Sequence, residues 1–312
     1  AALEQVAGLQ AQYAPSPYVG LWSRLRDFER GQLTRALEER RVVQATLLRS
    51  TIHLVSAADY PPFVEAVRGA RRDWWTRVAR PQLEGVDIEA AAALVRERLA
   101  DGPARQAELT GLLADKGYPR VVWNGIGLWV DMVRVPPSGT WERRRADLYG
   151  LATDWLGPWR VTEDDALEHL VRRYLAGFGP AALGDLGSWA GMPLTRLRPV
   201  LERVGTRRFR DEQGTELFDL PGAPLPDPAT PAPPRFLSTW DANLLVHARR
   251  TQLLPERYRP RIFHTRAPHS FPTFLVDGAV AGTWRHDQGR LDLEPFEPLP
   301  RATRRALEDE AA

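Results

Sequence analysis

Apolar residues recur at helical spacing through most of the chain, interrupted by short alternating stretches. Residues 88–99 and 105–116 read as amphipathic helices, the second stopped by Gly117. A third helix covers 118–130 with Pro119 in its first turn. Residues 134–148 then read as two strands around Pro136-Pro137-Ser138-Gly139, the second strand being 140–145. The same order returns after a Gly/Pro/Trp linker at 156–160. Thr162 caps a helix that runs to about Ala176, with Asp165 in the place a capping box gives to Glu or Gln. Helices at 181–190 and 193–204 follow, then a hairpin at 207–220 turning at Asp211-Glu212-Gln213-Gly214.

A looser copy comes first. Helices at 17–28 and 32–40 precede β-rich segments at 42–48 and 51–55, and 61–80 adds a helix. Three helices and a two-stranded wing are the grammar of a winged helix. Residues 220–234 form a proline-dense linker. Beyond it, 261–263, 273–276, 279–284 and 290–293 read as strands, with Asp277-Gly278 a two-residue hairpin turn. The fold class expected is mainly α with β hairpins (α+β). It comprises three tandem winged-helix units, 1–85, 86–157 and 158–225, and a β-rich C-terminal region, 226–312.

Gln10 and Gln12 stand out in Gly8-Leu9-Gln10-Ala11-Gln12-Tyr13. Gly8 stops a short helix at 1–7, and Ser16-Pro17 reads as a cap and first turn. The segment between is therefore extended, and residues i and i+2 of an extended segment share a face. Two carboxamides offer acceptors and donors but no charge. Such a pair either holds a water or caps helix ends.

The 312 residues suffice for two or three domains with a sizeable core. No apolar run reaches the ~20 residues of a membrane span. The absence of Met at position 1 suggests that the chain starts inside a longer gene product, and no signal-like segment is present. A cytoplasmic, nucleoid-associated location is expected. The sequence has no cysteine, which excludes disulfides and thiol catalysis. Net charge is only +2, yet Lys116 is the only lysine. A bias of genome composition explains that, as do guanidinium forks for phosphates. Between 235 and 266 seven Arg (235, 249, 250, 257, 259, 261, 266) face two acids, Asp241 and Glu256. A segregated basic stretch is a nucleic-acid footprint.

Metal chemistry has little support: no two of the six His stand at i,i+4, and His264 and His269 alone are five apart in a loop. Phosphate-cradling, nucleophile-elbow and dinucleotide motifs are missing. Neither metal nor cofactor is expected. Two further polar segments lie in apolar surroundings. In Arg49-Ser50-Thr51-Ile52-His53, Thr51 and His53 share a face of a predicted strand. The other runs from Ser238-Thr239-Trp240-Asp241 to Arg266 and His269.

Five segments carry a resemblance: Gly-Leu-Gln-Ala-Gln at 8–12, Ser-Pro-Tyr-Val-Gly-Leu-Trp-Ser-Arg-Leu at 16–25, Arg-Ser-Thr-Ile-His-Leu-Val at 49–55, Trp-Asp-Ala-Asn-Leu-Leu-Val-His-Ala-Arg-Arg at 240–250 and Pro-Thr-Phe-Leu-Val-Asp-Gly-Ala-Val-Ala-Gly-Thr-Trp at 272–284. Together they resemble the AlkZ/YcaQ-like DNA glycosylases. The Gln-x-Gln form is similar to the AlkZ branch; the YcaQ branch has Asp at the second place. The family carries one more N-terminal helix than this sequence. The resemblance implies a C-shaped protein that grips double-stranded DNA carrying alkylated purines and removes N7-alkylated bases, bulky antibiotic adducts and crosslinks among them. It implies Gln10 and Gln12 as catalytic residues. Arg49, Thr51, His53, Arg249, Arg250, Arg266 and His269 are expected to contact DNA, and the protein is expected to act as a monomer. A non-catalytic DNA-binding regulator is the alternative.

Uncharged glutamines suit that chemistry. Alkylation at N7 makes the purine cationic, so it leaves without a general acid. What remains is to place water at C1′ and to stabilise a developing positive sugar. A neutral purine would instead want a carboxylate.

Overall fold

The computed structural model describes residues 1–248, 250–264 and 269–311. Arg249 and Arg266 lie outside them.

The chain opens with α1 (Ala2–Gln5) and β1 (Leu9–Gln10). Gly8 between them has φ +81°, and a Cβ there would meet Val55 Cγ1 at 2.7 Å and the Leu54 carbonyl at 2.9 Å. Only glycine lets the chain turn and lie this close to its partner strand. Next come α2 (Ser16–Trp22), α3 (Arg30–Glu38), β2 (Val42–Thr46), β3 (Ile52–Ser56) and α4 (Tyr60–Ala79). Ser16 does not cap α2, contrary to the sequence reading: Pro15 holds the N-cap position and the buried Ser16 hydroxyl has no hydrogen-bond partner.

The second stretch gives α5 (Ile88–Ala100), β4 (Ala104–Arg105), α6 (Gln106–Asp115), α7 (Arg120–Ile126), β5 (Met132–Arg134) and β6 (Leu148–Leu151). The strand expected at 140–145 does not form. The buried Ser138 hydroxyl accepts from the amides of Asp147 (2.8 Å) and Leu148 (3.1 Å) and donates to the Arg145 carbonyl (2.8 Å). Those bonds tie 138–147 into a loop and leave Arg143, Arg144 and Arg145 exposed at its tip.

One sheet runs across the first two stretches in the order β1-β3-β2-β5-β6-β4. Register puts Gln10 opposite His53, His53 opposite Ala45 and Ala45 opposite Val133, so these four share a face. Gln44 and Arg134, directly paired, point to the other face.

After α8 (Ala152–Leu156) come α9 (Glu163–Phe178), α10 (Leu183–Ala190), α11 (Leu194–Val204) and the hairpin β7 (Arg207–Arg210)–β8 (Glu216–Asp219). The Thr162 cap is as expected, its hydroxyl accepting from the Asp165 amide at 3.2 Å. This helix–helix–helix–hairpin order is that of the sequence pattern. Its core merges with that of the first stretch: Trp189 of α10 meets Phe63 of α4 edge to face and Tyr174 of α9 at a tilt. Asp59, fully buried, ties the two further by accepting from Arg173 (2.8 Å) and His169 (2.7 Å). Burial pushes the Asp59 carboxyl up, but these two bonds outweigh it and hold the carboxyl below its ordinary value.

The C-terminal region holds β9 (Arg235–Leu237), α12 (Ala242–Leu245), α13 (Arg259–Ile262), β10 (Phe263–His264), β11 (His269–Ser270), β12 (Thr273–Val276), β13 (Ala279–Asp287), β14 (Arg290–Pro295) and α14 (Arg301–Ala311). Its sheet is ordered β14-β13-β12-β9. The Asp277-Gly278 turn forms with positive φ at both residues, as a tight hairpin demands. Of the strand expected at 261–263, Arg261 and Ile262 are helical, because α13 opens with Pro260 in its first turn, and Phe263 begins β10. A bidentate pair from Arg24 to Asp241 (2.6 and 3.0 Å) fastens this region to the end of α2. Among the described residues no helix is long and apolar enough to cross a membrane.

Candidate active site

β1 is extended because its carbonyls and amides pair with β3, and the ladder continues to Ala11, whose amide donates to the Ile52 carbonyl at 2.7 Å. The two glutamines then meet one target from different depths. Gln10, buried, accepts on Oε1 from Arg49 Nη2 at 3.0 Å. Gln12, exposed, accepts on Oε1 from the Ile52 amide at 3.2 Å. The Gln10 carbonyl thus turns to the 47–51 connection between β2 and β3, and the Gln12 carbonyl to Ile52 at the start of β3. A guanidinium and a peptide N–H only donate, so they fix which end of each amide is oxygen. Each oxygen keeps a second lone pair.

The connection is itself tightly built. Arg49 and Ser50 adopt left-handed backbone, φ 51° and 59°, which costs an L-residue ~1–3 kcal/mol and persists only where the surroundings impose it. Arg49 Nη1 donates to the Trp189 carbonyl at the end of α10. The Arg49 backbone also packs on Gly191, where a Cβ would come within 3.3 Å of the Arg49 Cα. Arg49 therefore links the third helical group to Gln10. Burial lowers its pKa to about 10, and among the described residues no carboxylate pairs with it.

His53 lies beside Gln10 on the same face. Burial, aided by the Arg49 and Arg71 charges and opposed only by its bond to the Thr51 carbonyl, drives its pKa down to about 3. The neutral ring places Nδ1 at 3.0 Å from that carbonyl, which requires the proton on Nδ1. At 3% exposure and with its pKa held low by burial, His53 presents no cation at the surface, so the DNA contact expected of it from the sequence has no charge behind it. Thr51, half-buried, spends its hydroxyl on the Leu48 carbonyl at 3.1 Å. Both are supports of the connection.

Arg250 and His269 are exposed. Arg250 reaches the Pro180 carbonyl at 3.3 Å. His269 lines a cleft of about 360 Å³ with Tyr13, Ser16, Trp240 and Trp284. Tyr13 follows Gln12 directly, so this cleft, with Tyr13, Trp240 and Trp284 in its wall, adjoins the motif. The Tyr13 hydroxyl accepts from Arg144 at 3.1 Å, which brings the 138–147 loop with its three arginines to the same place. That loop escaped the sequence reading, because a run of three Arg after Trp141 suits a strand as well as a loop.

Two more groups escaped it. Arg71 of α4 and Arg134 of β5 are buried at the connection. Arg71 donates to the Thr46 carbonyl (3.1 Å) and Arg134 to the Thr46 hydroxyl (3.0 Å). The available signal was an Arg on an apolar face, in Val67-Arg68-Gly69-Ala70-Arg71 and Met132-Val133-Arg134-Val135. No group of His, Asp and Glu among the described residues is arranged to hold a metal ion.

A family model described as "DNA glycosylase AlkZ-like" matches residues 3–312. A curated relative from Streptomyces sahachiroi, named "Interstrand DNA cross-link repair glycosylase", is 22% identical over 334 residues, spanning 99% of this chain and 87% of the relative. The solved structure of Streptomyces sahachiroi DNA glycosylase AlkZ superposes with a TM-score of 0.82 at 20% identity, covering 99% of this chain and 88% of that one. At that identity the likeness is one of fold.

Proposed function

Since the chain belongs to the AlkZ-like DNA glycosylase family, a group of hydrolases acting on N-glycosyl bonds, we propose that it removes cationic N7-alkylated purines from duplex DNA by a glutamine-placed water. Bulky adducts and interstrand crosslinks are included, in keeping with the crosslink-repair name of the Streptomyces relative. The observation that carries this reading is the electrically neutral pair itself. Gln10 and Gln12 are oriented by donors, so each oxygen keeps a lone pair available as an acceptor.

The two glutamines divide the task. Arg49 beside Gln10 makes that oxygen a weaker partner for positive charge and a firmer fixture. Gln12 has only a peptide N–H and stands in solvent, so it receives the water and directs it at C1′. Water donates to Gln12 Oε1 and attacks as the base departs with its electron pair. The leaving purine becomes neutral, and the water releases its proton to solvent. No strong base is needed because the leaving group begins as a cation. The reaction ends at hydrolysis: the only lysine, Lys116, sits at the end of α6, far in sequence from the motif.

Arg143, Arg144 and Arg145 on the loop against Tyr13 serve as phosphate contacts, which position without reading sequence. Arg249, Arg250, Arg266 and His269 belong to the same role. The 360 Å³ aromatic cleft beside Tyr13 takes the bulk of a large adduct. The test uses duplexes carrying N7-methylguanine or O6-methylguanine, both methylated, only the first cationic. Release of N7-methylguanine alone is expected. Release of neither base marks a DNA-binding protein without glycosylase activity, and equal release of both overturns the charge argument.

A further inference from the structure

A second cleft, of about 480 Å³, opens beside Thr46 and the 47–51 connection, with α4 and α7 in its walls. Its size falls within the ~300–1,000 Å³ of small-ligand sites. Arg71, Arg134, Trp74, Trp75, Trp123 and Asn124 are among its lining. Two features lack a structural explanation. The first is charge. Arg71 is 5% and Arg134 7% exposed, yet among the described residues neither pairs with a carboxylate. The nearby Asp131 is taken by Arg68 in a bidentate pair at 3.0 Å. Arg71 Nη2 has no hydrogen-bond partner among the described residues. Burying a cation without an anion is costly. The second is apolar surface: Trp74 is 50% and Val78 60% exposed on the same face of α4.

An anion with a flat apolar body satisfies both features. A carboxylate ligand answers only the first, and a hydrophobic peptide only the second. A nucleotide carries a phosphate for the guanidiniums, a π face for an exposed indole, and polar base edges for Asn124. We propose that this cleft receives one unstacked nucleotide of the DNA strand, its phosphate on Arg71 and Arg134 and its base on Trp74. The placement fits a duplex opened at the lesion. Ser50 lines the cleft, and its neighbour Arg49 holds Gln10, so an occupied cleft and the motif are joined by one peptide bond. Burial holds Arg71 near a pKa of about 10, high enough to stay charged at neutral pH. The proposal rests on DNA being the substrate and not on the hydrolytic step.

The experiment compares equilibrium binding of the full chain to a fully paired duplex and to the same duplex with one extrahelical nucleotide. A deoxynucleoside monophosphate and the matching deoxynucleoside serve as competitors. Wild type should prefer the extrahelical duplex about tenfold. Trp74→Ala, at an exposed position, should remove that preference and leave paired-duplex binding within about twofold. Arg71→Met should remove it too. Should that variant fail to fold by circular dichroism, Trp74→Ala decides alone. The monophosphate should compete with the extrahelical duplex and the nucleoside should not. The inference is overturned if wild type shows no preference or if Trp74→Ala keeps it. Binding of the free monophosphate without preference for the extrahelical duplex also overturns it, since the cleft would then serve a free nucleotide.

Discussion

The protein draws arginine inward at the Asp241 seam and at the β2–β3 connection, and treats it differently at each. At the seam between α2 and the C-terminal region, Arg24 meets the fully buried Asp241 in a bidentate pair. Burial alone would lower the Arg24 pKa, but Asp241 outweighs it and raises the pKa. At the β2–β3 connection, the half-buried Arg49 and the buried Arg71 sit among carbonyls and hydroxyls, and both pKa values fall to about 10. Arg134 shifts the same way, burial again the largest cause. The first arrangement is complete within the chain and serves to fasten two regions. The second leaves positive charge unanswered and is what a site awaiting a polyanion looks like.

Removing Asp241 should break the complete arrangement hardest. Asp241→Ala leaves the half-buried Arg24 without its anion, and a loss of about 3 kcal/mol in denaturant unfolding is expected. A loss below about 1 kcal/mol would mean that the seam does not need the pair.

His53 gives an effect of similar kind, read by pH. Its folded pKa of about 3 lies below the unfolded 6.5, so the unfolded chain binds the extra proton between those values. Stability is therefore complete above about pH 6.5 and falls as pH drops, by about 1.4 kcal/mol per unit, toward pH 3. His53→Gln should flatten that slope in urea unfolding measured from about pH 7 to pH 4. An unchanged slope would show that the ring titrates normally and that the Arg49 and Arg71 charges do not reach it.

Arg71→Met sharpens the contrast from the other side with the smallest expected change. It removes a cation that no acid balances, at the expense of the bond to the Thr46 carbonyl. Unfolding free energy should stay within about 1 kcal/mol of wild type. A loss as large as that of Asp241→Ala would make Arg71 a structural residue.

What the sequence disclosed follows the same division. The Thr162 cap, the 211–214 hairpin, the Asp277-Gly278 turn and the extended Leu9–Gln10 start of the Gln motif rest on neighbours a few residues apart, where local rules act; Gln12 itself lies in a bend. Arg24 and Asp241 are 217 positions apart, so neither predicts the other. Arg71 and Arg134 become informative only when α4 and β5 fold onto one threonine. His53 was legible as a polar residue in an apolar strand, but its neutrality comes from burial and from charges brought by other elements. Residues 140–145 misled because Ser138 replaces a strand ladder with hydroxyl bonds. Nor does periodicity tell that β2 and β5 join two stretches into one sheet.

The central claim is that neutral glutamines suffice because the departing base is already a cation. Single-turnover release of N7-methylguanine from duplex DNA, at saturating protein, measures it directly for wild type, Gln10→Ala and Gln12→Ala. The account predicts a loss of about a hundredfold for Gln12→Ala and a smaller one for Gln10→Ala, with DNA affinity within about threefold of wild type in both. Wild-type rates in both variants would contradict it.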